Sequence, residues 1–568
     1  MTPAAPRVAV IGGGLAGITA AIALAEAGAA VTLLEARPRL GGATCSFTRD
    51  GLVVDTGQHV FLGCCTAYRG LLERLGMTAH APLQDRFDVT VLAPGPSRPA
   101  GPPRRGRLRR AALPGPLHML PALARYPFLS LTERCTVSRP ALAMRRVDPA
   151  DPVVDEQRFG DWLAARGQGD RARRALWDLF TVSALNIAGD DASLALAATV
   201  VKTGLLGRSN AADIGVPALP LGELHGDAAA TLLAKLDAQV LIGAKVSAID
   251  AAAQTPKTPP AHPSGPRFRL ATAGAGTLPA EIAADAVVLA VPHEAAARLM
   301  PPGALPDGTV AGWAGLGASP IVNVHVIYDR PVTDLPFAAA SSSPAAASSG
   351  SAAATEILAD AVVLAVPHEA AARLMPPGAL PHATVAGWAG LGASPIVNVH
   401  AIYDRPVTDL PFAAAVDSPV QWVFDRSRIS GLDRSSPDRP QYLAISLSAA
   451  DDYVDVPAAR LRDRLVPALA ELFPAARDAR VIEFFVTRER RATFRQAPGS
   501  ARLRPRPGTQ LPGLVLAGAW TATGWPDTME GAVRSGLAAA IELRRTVLSA
   551  SWARTRPTTK TSTIGVSQ

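Results

Sequence analysis

Three glycines in G-x-G-x-x-G spacing lie between a short apolar run and a helix-forming stretch near the start of this 568-residue chain. No other feature constrains its fold as much. Val8 to Ile11 has the apolar character of a buried parallel strand. Gly12 permits the tight turn that follows, Gly14 lets the backbone approach a pyrophosphate, and Gly17 lets the next helix pack on the strand. That helix, Leu15 to Glu26, points its N-terminal N–H groups at the phosphates. Gly28 ends it, and Ala30 to Leu34 is the second strand. Glu35 closes that strand about 20 residues beyond the glycines, where a carboxylate accepts ribose hydroxyls. The pattern predicts an α/β fold that begins with a dinucleotide-binding unit.

A second informative stretch, LVLAGAWTATGWPDTMEGAVRSG, runs from Leu514 to Gly536. It reads as a strand (Leu514 to Ala517), a turn at Gly518 and a helix from Thr528 to Ala540. The backbone N–H groups of Met529, Glu530 and Gly531 open that helix, whose N-terminus carries partial positive charge. Between the two stretches, Arg37, Arg39, Gly41 and Gly42 follow Glu35, and Asp55-Thr56-Gly57-Gln58-His59 comes next. Together these segments resemble the split FAD site of the flavin amine oxidase and phytoene desaturase superfamily. The resemblance implies a Rossmann-like FAD-binding domain of the GR2 type with an α+β substrate domain. It implies that Gly12, Gly14, Gly17, Glu35, Arg37, Gly41 and Gly42 hold the ADP half. Gly518, Met529, Glu530 and Gly531 would hold the flavin half, and Val246, on a strand from Lys245 to Ile249, would flank the adenine. The helix start would lie near the flavin N1–C2=O edge and stabilise negative charge on the reduced ring. Ala519 stands where many relatives carry aspartate, which removes one cofactor contact. Trp520 and Trp525 suit either the site or the core.

Hydrophobic residues make up 48% of the chain, ample for two or three cores. No apolar run reaches the roughly 18 residues of a membrane span, and no secretory signal precedes the Val8 strand. The cysteines, Cys45, Cys64, Cys65 and Cys135, lack metal-ligand spacing, so no metal is expected. They read as structural thiols of a reduced cytoplasm, and none is near the C-terminal motif to anchor FAD covalently. The formal charge is +8. The densest basic run, Pro102 to Arg110, has no interleaved aromatics, which argues against nucleic-acid binding. A solvated loop is the commonest reading of such a run. Here it precedes the apolar, Pro-broken segment Leu113 to Leu131. That pairing suits peripheral attachment to an anionic bilayer, at the inner face of the cell membrane.

The chain also contains a tandem duplication. Residues 281–340 recur as 356–415 with four differences: Ala283/Leu358, Asp307/His382, Gly308/Ala383 and Val326/Ala401. A Ser/Ala-rich linker joins the copies. Each copy reads as strand (Ala286 to Val291 in copy one), helix (Glu294 to Met300) and strand (Ile321 to Tyr328). One copy suffices for the fold. The expected arrangement takes Ala286 to Val291 from copy one for the FAD domain and Ile396 to Tyr403 from copy two for the substrate sheet. The latter would lie beside a strand from Val420 to Asp425. The organisation expected is FAD-domain segments at 1–95, 221–300 and 489–547, a helical substrate region at 96–220, substrate-sheet elements at 301–488, and a disordered tail at 548–568.

Within the superfamily the chain resembles the hydroxysqualene dehydroxylases of hopanoid biosynthesis. The residues that carry this are Gly524 to Gly536, Arg491 to Pro505, Ser183 to Ser193 and Asp55 to Cys64. The resemblance implies reduction of hydroxysqualene to squalene by reduced FAD, and contact with squalene-synthase-like enzymes of the pathway. Such chemistry needs an acid to help the oxygen leave and a dry apolar tunnel. His59 is the first candidate acid, with packing or a cofactor hydrogen bond as its other reading. Asp178 is the second, and Glu530 is assigned to the cofactor helix. The helix 171–188 and the strands 321–328 or 396–403 are the expected tunnel walls. A carotenoid desaturase, an amine oxidase and a non-catalytic isoprenoid carrier are the other readings. Against the amine oxidase, no lysine lies between Lys257 and Lys560.

Overall fold

A computed structural model describes residues 5–96, 101–251, 268–273, 281–283, 355–359, 362–365, 367–368, 371–372, 375, 379–432, 439–510 and 513–548. Its first layer is a parallel five-stranded sheet. The strand order is Leu514–Ala517, Val362–Ala365, Arg7–Ile11, Ala30–Glu35 and Gln239–Ile242. Val8 to Ile11 and Leu514 to Ala517 are almost wholly buried, as strands covered on both faces must be. Helices Leu15–Glu26 and Met529–Leu543 lie against the sheet and against each other. Their contact requires glycine. A Cβ on Gly17 would stand 1.8 Å from the Gly12 carbonyl oxygen, and one on Gly536 would stand 2.3 Å from that of Ala16. The two glycine-rich ends of the chain thus form one unit.

The second layer is a seven-stranded sheet in the order Val481–Thr493, Ser394–Tyr403, Gln441–Leu447, Trp422–Asp425, Phe412–Ala415, Asp88–Ala93 and Arg104–Arg109. Helices from the 117–205 region cover part of it. The region after residue 96 therefore begins with an edge strand rather than helix. That strand carries the basic run. Arg104 pairs with Asp417 at 3.2 Å, Arg107 with Asp88 through Nε at 2.7 Å, and Arg110 with Asp213 at 2.6 Å. The run is thus not a solvated loop. Its alternating side chains reach carboxylates brought close by the sheet.

Copy two of the duplication supplies both family strands. Val362–Ala365 sits between Arg7–Ile11 and Leu514–Ala517, the place expected for Ala286 to Val291. Ala286 to Val291, Glu294 to Met300 and Ile321 to Tyr328 lie outside the described residues. The physical reason is connectivity: one copy reaches both sheets through its own short connection, whereas a mixed arrangement needs a long excursion between them. The strand Ser394–Tyr403 pairs with Gln441–Leu447 and Val481–Thr493 rather than with Trp422–Asp425. The end of the same copy forms an unforeseen strand, Phe412–Ala415, which pairs with Trp422–Asp425 instead.

A smaller sheet runs Lys245–Ala251, Phe268–Ala273, Thr355–Ala359 and Glu281–Ala283. Its last two strands are the duplicated starts of the two copies. They pair in parallel, with Glu281 opposite Glu356, Ile282 opposite Ile357 and Ala283 opposite Leu358. Each residue faces its own duplicate.

Candidate active site

At the nucleotide end, Glu35 is buried and both its carboxylate oxygens accept backbone hydrogens. Gly13 N–H donates to Oε2 at 2.6 Å, and Arg37 N–H donates to Oε1 at 2.8 Å. Arg37 contributes its backbone here, while its side chain faces solvent. Gly41 bridges to Gly14, and Gly42 crosses against Gly14 so closely that a Cβ would lie 2.9 Å from the Gly14 Cα. Ala244 N–H reaches the Glu35 carbonyl at 2.9 Å, which brings buried Val246 beside the end of the same strand. Gly12, Gly14, Gly17, Glu35, Gly41, Gly42 and Val246 therefore meet in one place.

At the other end, Thr528 caps helix Met529–Leu543 by accepting Gly531 N–H at 3.3 Å. Glu530 is 1% exposed. Its oxygens accept Tyr68 N–H at 2.7 Å, Ala67 N–H at 3.1 Å and Arg534 Nε–H at 2.7 Å. It thus caps helix Thr66–Arg74 and fastens it to the cofactor helix. Arg504 organises the loop before that helix. Its guanidinium donates to the carbonyls of Ala519 at 3.0 Å, Trp520 at 3.3 Å, Thr521 at 2.6 Å and Trp525 at 2.7 Å. Burial lowers its pKa to about 10. Trp520 is a core aromatic, edge-on to Trp388 at 4.9 Å. Trp525 instead lines the cavity described below, with the Arg534 guanidinium 4.5 Å from its ring centre.

An apolar cavity runs from this helix start into the helical region. It holds about 1470 Å³ of empty space, part of it open to solvent. Leu179, Phe180, Ser183 and Ala184 supply one wall, as expected of helix 171–188. The facing wall comes from Phe412, Trp422 and Phe424, not from the strand Ser394–Tyr403. That longer strand lies next to the far edge of the sheet, between Val481–Thr493 and Gln441–Leu447. Trp422 Nε1–H donates to Ser183 Oγ at 2.8 Å and ties the two walls together. Gln58 lines the inner end beside Met529 and Glu530. Both its amide atoms are buried without a hydrogen-bond partner among the described residues.

The two candidate acids do not face this cavity. The Asp178 carboxylate lies on the other side of its helix against Gly189, where burial and nearby Asp190 raise its pKa to about 6. His59 sits against Gly57, with Nδ1 3.1 Å from the Gly57 carbonyl oxygen, and burial lowers its pKa. Asp55, from the same motif, forms a buried ion pair with Arg426 and accepts Leu221 N–H at 2.9 Å. This fixes the segment that carries Gln58 and His59. Three participants were not assigned from sequence. Arg504 and Gln58 stood inside motifs already singled out, and the Cys64–Cys65 doublet, read as structural, lines the cavity. Asp527, pushed to about 6 by burial, accepts Phe494 N–H at 2.9 Å.

These residues fit FAD. The Gly14–Gly42 approach leaves backbone, not side chains, facing a pyrophosphate. The partnerless Gln58 amide and the N-terminus of helix Met529–Leu543 converge where a flavin ring would need polar contacts. A Rossmann-like layer joined to a large substrate sheet across an apolar cavity defines a flavin-dependent enzyme class. The family described as flavin containing amine oxidoreductase matches residues 15–351 and 343–543, and the chain belongs to it. Its cofactor is FAD.

The chain is 36% identical over 181 residues to a hydroxysqualene dehydroxylase of Rhodopseudomonas palustris, covering 32% of this chain and 38% of the relative. The match therefore spans well under half of that relative's length. It is 24% identical over 559 residues to a zeta-carotene desaturase of Zea mays, covering 93% of this chain and 82% of the relative. Wild-type putrescine oxidase, solved with putrescine bound, superposes with a TM-score of 0.58 at 16% identity. That superposition covers 95% of this chain and 99% of the oxidase, and shows the shared fold.

Proposed function

We propose that this protein is an FAD-dependent oxidoreductase acting on a long isoprenoid, and that its reaction is the reductive dehydroxylation of hydroxysqualene to squalene. The observation that carries this reading is the apolar cavity lined at one end by the start of the cofactor helix. Its walls of Leu, Val, Phe and Trp suit a hydrocarbon. An amine substrate would need a free carboxylate or a similar anchor. Among the described residues the wall has one carboxylate, Glu530, which is already met by three N–H donors. The hydroxysqualene dehydroxylase likeness lies in a third of the chain, and carotene desaturases span nearly all of it. A carotenoid desaturase is therefore the second reading. The buried Gln58 amide on the wall, without a hydrogen-bond partner among the described residues, favours a substrate with a hydroxyl over a pure hydrocarbon.

In this reading Glu35 and the glycine turns hold the ADP half of the cofactor. Thr528, Arg504 and Glu530 fix the helix start and loop that meet the flavin. Bound FAD, in its reduced form, supplies a hydride. Phe180, Trp422 and Phe424 orient the chain, and Gln58 binds the alcohol oxygen.

The substrate enters from a bilayer. Among the described residues ten large hydrophobics are exposed, and six of them (Leu113, Leu117, Leu120, Leu131, Leu142 and Val153) lie in one stretch. That stretch follows the strand whose Leu108 lines the cavity. Because acids already pair several arginines of the basic strand, attachment rests mainly on the leucines. Binding to anionic vesicles should therefore survive salt.

Anaerobic mixing of reduced holoenzyme with hydroxysqualene, phytoene or a polyamine tests the reading. Flavin reoxidation with squalene as product is expected for the first alone. Oxidised enzyme that instead dehydrogenates phytoene would establish the desaturase. Purified protein with no flavin spectrum would establish a carrier.

A further inference from the structure

Loss of an oxygen from an allylic carbon needs a proton, and this inference rests on that reading of the reaction. Among the described residues, three with titratable side chains line the cavity: Cys64, Cys65 and Glu530. Glu530 acts as acceptor for the Ala67, Tyr68 and Arg534 donors described above. Asp178 and His59 lie off the wall. The doublet remains.

Cys64 and Cys65 stand at the start of helix Thr66–Arg74, with Cys65 as its N-cap residue. Their backbones are fixed on two sides: Cys64 N–H donates to Ala211 O at 2.9 Å, and Cys65 N–H donates to Leu62 O at 2.9 Å. Both residues line the same cavity as Met529 and Trp525. We infer that the Cys64 thiol is the proton donor to the leaving oxygen, with Cys65 as its positioning partner.

Hydrogen bonding from adjacent Cys65 pulls the Cys64 thiol below its ordinary range against the opposing effect of burial, while Cys64 and burial push Cys65 well up. From helix Met529–Leu543, Arg534 lowers and Glu530 raises the Cys64 value. On the neighbouring segment, Asp213 turns its carboxylate away to Arg110 and Phe87 N–H. The helix N-terminus adds partial positive charge on the side of the doublet. A thiol lowered below its ordinary range is a better acid for this task than an ordinary one.

The step balances. The C–O bond breaks with its electron pair going to oxygen. The Cys64 S–H proton joins that oxygen, and with the alcohol hydrogen it leaves as water. The carbon receives the hydride that reduced FAD supplies. Cys64 is left as thiolate, held by Cys65 S–H, until solvent returns a proton.

The test uses FAD-loaded wild type, Cys64→Ala, Cys64→Ser and Cys65→Ala. Single-turnover reoxidation by hydroxysqualene should slow by about 100-fold or more in Cys64→Ala, with flavin spectrum and substrate binding unchanged. Cys64→Ser, which keeps a weaker proton donor, should recover part of the rate. The acid must be protonated, so the wild-type rate should fall as pH rises through the lowered thiol range. Cys65→Ala should move that limb to higher pH. Independently of turnover, iodoacetamide should alkylate one thiol fastest, mapped to Cys64 by mass spectrometry, and its pH midpoint should rise in Cys65→Ala. Undiminished turnover in Cys64→Ala, or a pH midpoint indifferent to Cys65, would overturn the assignment. Wild-type enzyme that does not react with hydroxysqualene would overturn the reaction itself instead.

Discussion

The two ends of the cofactor cleft are built on opposite principles. At the nucleotide end, contacts come from backbone amides and one carboxylate within about forty consecutive residues, and the side chains are mostly absent by design of the glycines. At the flavin end, the cavity wall is assembled from side chains of six or more separate segments, from Gln58 to Glu530. Grip on the cofactor is therefore a matter of local backbone geometry. Grip on the substrate is a matter of tertiary shape. The first should fail abruptly when a single polar anchor is lost, and the second should change by degrees.

Four substitutions can break or sharpen that contrast. The largest effect is expected of Arg504→Met. It strips donors from four carbonyls of the flavin loop, of which the buried two, Trp520 and Thr521, each cost about 1–3 kcal/mol when unsatisfied. A combined loss of about 3 kcal/mol or more should appear as a lower melting temperature and a lower flavin-to-protein ratio. A variant with wild-type flavin content would show that the loop holds itself. Next comes Glu35→Ala, which should weaken FAD binding by about 1.5–3 kcal/mol with the fold intact. Equilibrium dialysis against FAD measures it, and unchanged affinity would remove Glu35 from the site.

Phe180→Ala belongs to the substrate wall. Losing one apolar wall residue should cost about 1–2 kcal/mol of hydrocarbon binding, read as a higher KM, with the flavin spectrum unaltered. A shift in flavin content would contradict the separation of the two ends. The smallest effect is that of Asp178→Asn. The folded pKa of Asp178, about 6, exceeds its usual value near 3.8, so the charged form is the disfavoured one in the folded state. The penalty is absent below about pH 3.8 and grows as pH rises through about 6. After allowance for partial exposure it amounts to about 1 kcal/mol at neutral pH. The variant should melt higher than wild type at pH 7.5, and the gap should close toward pH 4. A gap that widens on acidification would reverse the assignment.

The same contrast explains what could be read from the chain alone. The strand, helix and acid at 7–35 were legible because their partners are near in sequence and their glycines have a single steric meaning. The joining of residues 8–42 to 514–536 was legible through resemblance, and Gly536 against Ala16 gives it a physical basis. The tunnel wall was half legible. A helix of alternating bulk at 179–184 announces an apolar face, but nothing local says that Phe412 and Trp422 stand opposite. The candidate acids were misplaced for the same reason: whether Asp178 faces the cavity or Gly189 depends on the rotation of a helix about its axis. The basic strand was obscured because its carboxylate partners, Asp88, Asp213 and Asp417, are scattered along the chain. The choice of duplicated strand turned on path length between two sheets, which single-strand patterns do not encode.

The pairing of Glu281–Ala283 with Glu356–Leu358 has a consequence for how such a gene can change. Each strand meets its own duplicate, so the pairing code was inherited with the duplicated segment and did not have to arise separately. A third insertion of the same length would meet an edge of the same sequence, already in register. Unequal crossing-over could therefore lengthen this sheet by whole units while the cofactor cleft stays as it is. The duplication is a growth point in the protein, whose step size is fixed by the repeat.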